Sequence, residues 1–269
     1  MKKLLVLVTV LAMVLALTAC GDKKNNTTPA TEAPTATTAP TPTEAEATPT
    51  PEATPTEAPV SNVMSHADYV AASVDDPVII EAYVMDTQSW WNDKITIYAA
   101  DKDGAYFIYE AACSKEDSDL LTPGKKIHVE GFKSEWSGEV EITDAKITFP
   151  EGADEFMPQP FDVTALIGTD DLAKHQNERV VFKGITITAQ DDGAAFKYKN
   201  AEEKTDDLYF KGTVDGKEVS FCVEFYLRGK DTDVYKAVEG LKVGDTVDVE
   251  GYLYWYNGAN PHVIGVTVK

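Results

Sequence analysis

The sequence predicts an all-β protein with short helices, built as two tandem five-stranded Greek-key barrels behind a disordered Pro/Thr-rich tether. Three observations carry this. A strand-forming segment recurs at an offset of 120 residues, the apolar residues of both copies alternate with period two, and a Pro/Thr-rich stretch lacking large apolar residues precedes them.

The chain opens with Lys2 and Lys3 and an apolar run from Leu4 to Ala19, the pattern of a secretory signal. Sixteen residues fall short of the roughly 20 that a bilayer span needs. The run ends in Leu17-Thr18-Ala19-Cys20-Gly21, which resembles the lipobox of bacterial lipoproteins. That resemblance implies cleavage after residue 19, lipidation of Cys20, and a mature protein anchored on the extracellular side of the cell membrane. From Gly21 to Pro59 lie eight of the 14 prolines, mixed with Thr, Ala and Glu, and no aromatic or large aliphatic residue. Such a segment cannot bury a core and stays extended. At about 3.1 Å per residue its reach is at most roughly 120 Å. A tether of that reach suits a head pushed into a cell-wall layer, hence a Gram-positive surface.

The remaining chain divides into 61–150, a connector 151–160 containing prolines, and 161–269. Leu121-x-x-Gly124-x-x-Ile127-x-Val129-Glu130-Gly131 recurs as Leu241-x-x-Gly244-x-x-Val247-x-Val249-Glu250-Gly251. In copy one a short helix near His66 to Ala72 precedes strands at Val78 to Val84, Lys94 to Tyr98 and Ala105 to Cys113. The turn Asp101-Lys102-Asp103-Gly104 joins the second strand to the third. A helical stretch, Lys115 to Leu121, leads to the repeated strand and a closing strand from Val140 to Phe149. Copy two repeats the order, with helices near Asp170 to Gln176 and Asp231 to Glu239, a first strand from Arg179 to Thr188 and a last from Val263 to Val268. In that first strand, Val180 and Phe182 share an apolar face with Ile185 and Ile187 only if the phase slips at Gly184, which predicts a bulge.

Five strands with a helix between the third and fourth are the element order of an OB-fold. The Leu-x-x-Gly-x-x-Val-x-Val-x-Gly entry to strand four resembles the nucleic-acid-binding type of OB domain. The layout as a whole is similar to that of uncharacterised surface lipoproteins of Firmicutes.

Charge and chemistry narrow the function. The formal net charge is −21, and only six of the 45 acids and four of the 24 bases precede residue 61, so the head itself is strongly acidic and disfavours nucleic acid. Beyond Cys20 only Cys113 and Cys222 remain, too few for a disulfide framework, and both read as buried thiols. No Gly-x-Ser-x-Gly, phosphate-binding Gly loop, Cys-x-x-Cys or His-Glu-x-x-His occurs, and His66, His128, His175 and His262 are scattered. A non-catalytic binding protein without cofactor or metal is expected. Asp101-x-Asp103-Gly104-x5-Glu110 resembles the back half of an EF-hand loop, but its first position is Ala99 and its flanks read as strands, so a hairpin turn explains it.

Aromatic residues give the candidate site. OB barrels bind across strands two and three, between the loop joining strands one and two and the loop joining strands four and five. Trp90 and Trp91 fall in the first of these loops in copy one, Trp136 in the second, and Tyr98 points outward on strand two. Copy two has Tyr254, Trp255 and Tyr256 in its last hairpin but Gln190, Asp191 and Asp192 in its first loop. Flat rings suit sugar faces or bases, and they also suit plain capping of the barrel ends. The expected ligand is a glycan or peptide at the groove of copy one. The alternatives are single-stranded nucleic acid and docking to another cell-surface protein.

Overall fold

The computed structural model of the protein describes residues 62–152, 154–202 and 206–269. The apolar run, Cys20 and the tether lie outside the described residues.

Helix α1 (His66–Ala71) starts at Ser65, whose hydroxyl accepts the Asp68 N–H in a capping box. At its end Lys133 Nζ donates to the carbonyls of Tyr69, Val70 and Ala72 at 3.0, 2.8 and 2.7 Å, satisfying groups that a helix end leaves open. Strands β1 (Pro77–Thr87), β2 (Lys94–Ala100) and β3 (Ala105–Ala112) follow. The one-turn helix α2 (Lys115–Ser118) then leads to β4 (Lys126–Trp136) and β5 (Glu139–Thr148). They close in the order β1-β2-β3-β5-β4, with β3 and β5 parallel. Alternate residues fill the interior: Val78, Ile80, Ala82 and Val84 of β1 meet Ile95, Ile97, Ile127, Val129 and Ile142, and Tyr69 of α1 packs into the same core.

The second barrel adds β6 (Phe161–Asp162), two 3-10 turns (Thr164–Leu166 and Asp170–His175), β7 (Arg179–Thr188) and β8 (Phe196–Tyr198). Then come β9 (Leu208–Val214), β10 (Lys217–Val223), helix α3 (Asp233–Glu239), β11 (Thr246–Tyr252) and β12 (His262–Val268). The β7–β9 pairing closes a barrel in the order β7-β9-β10-β12-β11, the cyclic order of the first, with β10 and β12 parallel. The fold is therefore two tandem OB barrels, and β6 and β8 are short additions to the second sheet. The β7–β11 register jumps from Ile185↔Val247 to Phe182↔Val249, so the extra residue falls at Lys183–Gly184, where Gly184 has φ +66°.

The repeated motif does the same work twice. Gly124 and Gly244 have φ of +87° and +95°, and their N–H groups donate to Val84 and Ile187 carbonyls at 2.8 and 2.9 Å. Each thereby ties the turn before strand four to strand one. Gly131 and Gly251 lie where strand five crosses closely: a Cβ there would sit 2.8 Å from the Thr143 carbonyl oxygen or 2.5 Å from that of His262.

Both barrels belong to one compact unit, and a third apolar cluster lies between them: Met85, Tyr98, Ala100, Ala105 and Phe107 from the first, Leu227 and Tyr252 from the second. The connector is part of this seam. Met157 packs on the cluster, Phe156 meets the Tyr83 ring edge-on at 5.4 Å, and the Pro158 carbonyl accepts from Arg179 at 3.2 Å.

Candidate functional site

The β1–β2 hairpin ends in a tight turn, with Trp91 and Lys94 exchanging backbone hydrogen bonds at 3.0 Å around Asn92 and Asp93, both at positive φ (50° and 58°). This is a type I′ geometry, which Asn and Asp tolerate better than most residues. It separates the two adjacent tryptophans. Trp90 is half-buried against the first core and donates its indole N–H to the Cys113 carbonyl at 2.9 Å, whereas Trp91 is 79% exposed.

Trp91 forms one wall of a cleft whose other residues include Gln88, Ser89, Asn92, Thr96, the Lys94–Glu110 pair and Tyr226. Tyr226 comes from the second barrel, in the turn after β10. Glu224 builds that turn: its carboxylate accepts the N–H groups of Tyr226 and Leu227 at 3.1 and 2.7 Å, and burial lifts its pKa to about 7. The Tyr226 carbonyl in turn accepts from the Ser89 N–H at 2.8 Å and the Ser89 hydroxyl at 3.0 Å, so the two barrels are bonded at the cleft itself.

The floor is held by a bulge. Between Ile95↔Ala111 and Ile97↔Ile108 the β3 strand carries an extra residue, and Glu110 there has φ +44° with its N–H on Thr96 Oγ1. Glu110 pairs with Lys94 at 2.7 Å and accepts from the Tyr109 hydroxyl at 3.1 Å, and the Lys94 contact holds its carboxyl below the usual range. The cleft therefore offers two exposed rings, several neutral hydrogen-bonding side chains, and a lysine whose charge is already matched.

Tyr98, expected as a ligand contact, requires correction. It does point out of its own barrel, but the outward face of β2 is covered by the second barrel, and its ring is fully buried. It stacks on Tyr252 at 4.6 Å, its hydroxyl accepts from Gln88 at 3.3 Å, and the same hydroxyl lies 2.6 Å from His262 Nδ1. Burial drops the His262 pKa to about 3, so its ring is neutral, and Nδ1 accepts the tyrosine proton. A cleft residue, Gln88, thus connects directly to the seam.

Trp136 does not line this cleft. It stands 53% exposed at the tip of the β4–β5 hairpin, 5.1 Å from the ring of Tyr256. Of the other rings in the last hairpin, Tyr254 stacks on buried His262 at 4.1 Å and Trp255 packs against the second core. Asp101 is occupied by its own turn, accepting from the N–H groups of Asp103 and Gly104 at 2.7 and 2.8 Å and from the Tyr106 hydroxyl at 2.7 Å. Glu110 is bonded elsewhere, so the calcium-loop pattern is not assembled. Burial pushes the Cys113 thiol up to about 11 and the Cys222 thiol well above its usual value, the reverse of an activated nucleophile.

Tyr226 and its Glu224 support carried no sequence signal, because they approach the Trp91 hairpin from the other barrel. No family model and no curated protein matches the chain. Among solved structures it is similar to the Ifi202 HINa domain in complex with 20 bp double-stranded DNA, at 13% identity and a TM-score of 0.30, over 73% of this chain and 96% of that one. It is also similar to the p204 HINb domain, at 12% and 0.32, over 73% and 98%. A third is a replication protein A heterotrimer bound to single-stranded DNA, at 12% and 0.32, over 74% and 51%. At scores this low the strand order of the two barrels remains the ground for the fold.

Proposed function

We propose that the protein is a non-catalytic binding head for neutral glycans at the Gram-positive cell surface, held to the membrane by lipid on Cys20, with the Trp91–Tyr226 cleft as its site. The observation that carries this reading is the composition of the cleft: two exposed aromatic rings flank Gln88, Ser89, Asn92 and Thr96, and the lysine present is matched by Glu110. Aromatic faces stack on the C–H faces of sugar rings, and neutral amides and hydroxyls exchange hydrogen bonds with sugar hydroxyls without a charge to desolvate. A phosphate chain would need unpaired bases, and the net charge of −21 repels it.

A screen of the 61–269 fragment against neutral polysaccharides, cell-wall fragments and single-stranded DNA at two salt concentrations tests the reading. Glycan binding that ignores salt and weakens about ten-fold or more in Trp91→Ala supports it. Salt-sensitive DNA binding would replace it with the nucleic-acid alternative. Labelled palmitate should appear on the wild type and disappear in Cys20→Ser; equal label on both would remove the anchor from that residue.

A further inference from the structure

We infer that the Trp136–Tyr256 ring pair is a second binding site for the same ligand class, so that one extended neutral polysaccharide is held at two points of the head. This rests on the glycan reading of the Trp91 cleft. The two strongly exposed tryptophans among the described residues, Trp91 and Trp136, are each accompanied by an exposed tyrosine of the other barrel, Tyr226 in one case and Tyr256 in the other. In the first case the two rings line one cleft, and in the second they are in direct contact.

The second pair is also rigidly mounted. Trp136 precedes a two-residue turn, Ser137 and Gly138, with φ of 53° and 89°, and the Ser137 carbonyl accepts the Asn257 N–H of the facing hairpin at 2.7 Å. The Gly138 carbonyl accepts from Gln176 at 2.8 Å, and the Trp255 N–H donates to Glu139 at 2.7 Å. A Cβ at Gly138 would lie 2.8 Å from Trp255 Cδ1, so the two hairpins touch with no room to spare. Three hydrogen bonds and this close approach join the Trp136 hairpin to the second barrel, and the Trp136 and Tyr256 rings lie 5.1 Å apart, inclined at 33°, with 53% and 50% of their residue surfaces in water. Rings ordered in advance lose little freedom on binding a stacked ligand.

The occupant follows from charge and from number. Ser137, Asn257 and Glu135 neighbour the rings in sequence, with no Lys or Arg among them, so a polyanion gains nothing there. Two aromatic sites on one rigid head multiply affinity only for a ligand long enough to occupy both, which a repeating polymer is.

The test uses the detergent-solubilised full chain and a panel of β-glucan, α-glucan, mannan and xylan, each as polymer and as trisaccharide, titrated by calorimetry. For the panel member that binds, the wild type should take two trisaccharides and Trp136→Ala one, while polymer affinity falls about ten-fold or more in Trp136→Ala and in Tyr256→Ala. Both side chains are half exposed, so melting temperatures should stay at the wild-type value, and a polymer loss without a melting change is the signature of a contact. One trisaccharide per wild-type head, or unchanged polymer affinity in both ring variants, overturns the second site and leaves the cleft standing. If Trp91→Ala binds normally and Trp136→Ala does not, the cleft reading fails and the two-point inference falls with it, leaving the ring pair as a single site. If no panel member binds at either length, both fall.

Discussion

Glu139 joins the two barrels through a buried carboxyl whose protonation depends on pH. It is fully buried, one carboxylate oxygen accepts the Trp255 N–H, and the other has no hydrogen-bond partner; burial pushes its pKa up to about 9. Because the folded pKa lies above the unfolded value, the stability that the bound proton confers is complete below about pH 4.5 and is lost as pH rises toward 9. Glu139→Gln keeps an acceptor for Trp255 and carries a donor at every pH without a bound proton, beside Asn177, whose Oδ1 is also unpartnered. The variant should therefore melt a few degrees higher at pH 8 and flatten the stability profile between pH 5 and 9. Parallel pH profiles for wild type and variant would show that Glu139 is not the titrating group. At this scale the sequence was only half legible. Alternation placed Tyr98 outside its barrel correctly, yet outward did not mean exposed, and nothing in the adjacent pair Trp90-Trp91 says which ring anchors and which is presented.

Element order was the most legible level, because the repeat marks backbone requirements as well as composition. Gly131 and Gly251 stand where strand five passes too close for a side chain, and Gly124 and Gly244 where the turn needs positive φ. Gly251→Ala, which would bring a Cβ to 2.5 Å from the His262 carbonyl oxygen, should cost about 1–3 kcal/mol in urea unfolding. Gly244→Ala, with φ +95° and open space around it, should cost about 1 kcal/mol from backbone conformation alone. Equal costs would mean that the close crossing relaxes at no expense. The predicted bulge at Gly184 follows from the phase slip in β7, and the structure places it there. Short elements were not legible. The stretch Lys115 to Leu121 shrinks to the single turn α2, and β6 and β8, of two and three residues, are too short to show alternation.

At the scale of the whole molecule, the two barrels act as one head because outward-facing residues of each are buried on the other. Asp86 pairs with Arg228 and accepts from the Tyr252 hydroxyl at 3.3 Å, Tyr98 stacks on Tyr252, and Glu139 takes the Trp255 N–H. These partners lie between 116 and 166 residues apart in the chain, a separation across which periodicity carries no information. Length and the repeat could therefore predict two barrels but not that they share a cleft. The most direct measurement of that shared cleft is hydrogen–deuterium exchange of the 61–269 fragment with and without a saturating neutral polysaccharide. Slowed exchange in both 88–96 of the first barrel and 224–228 of the second is the predicted result. Protection confined to one barrel, or none in either segment, would contradict it.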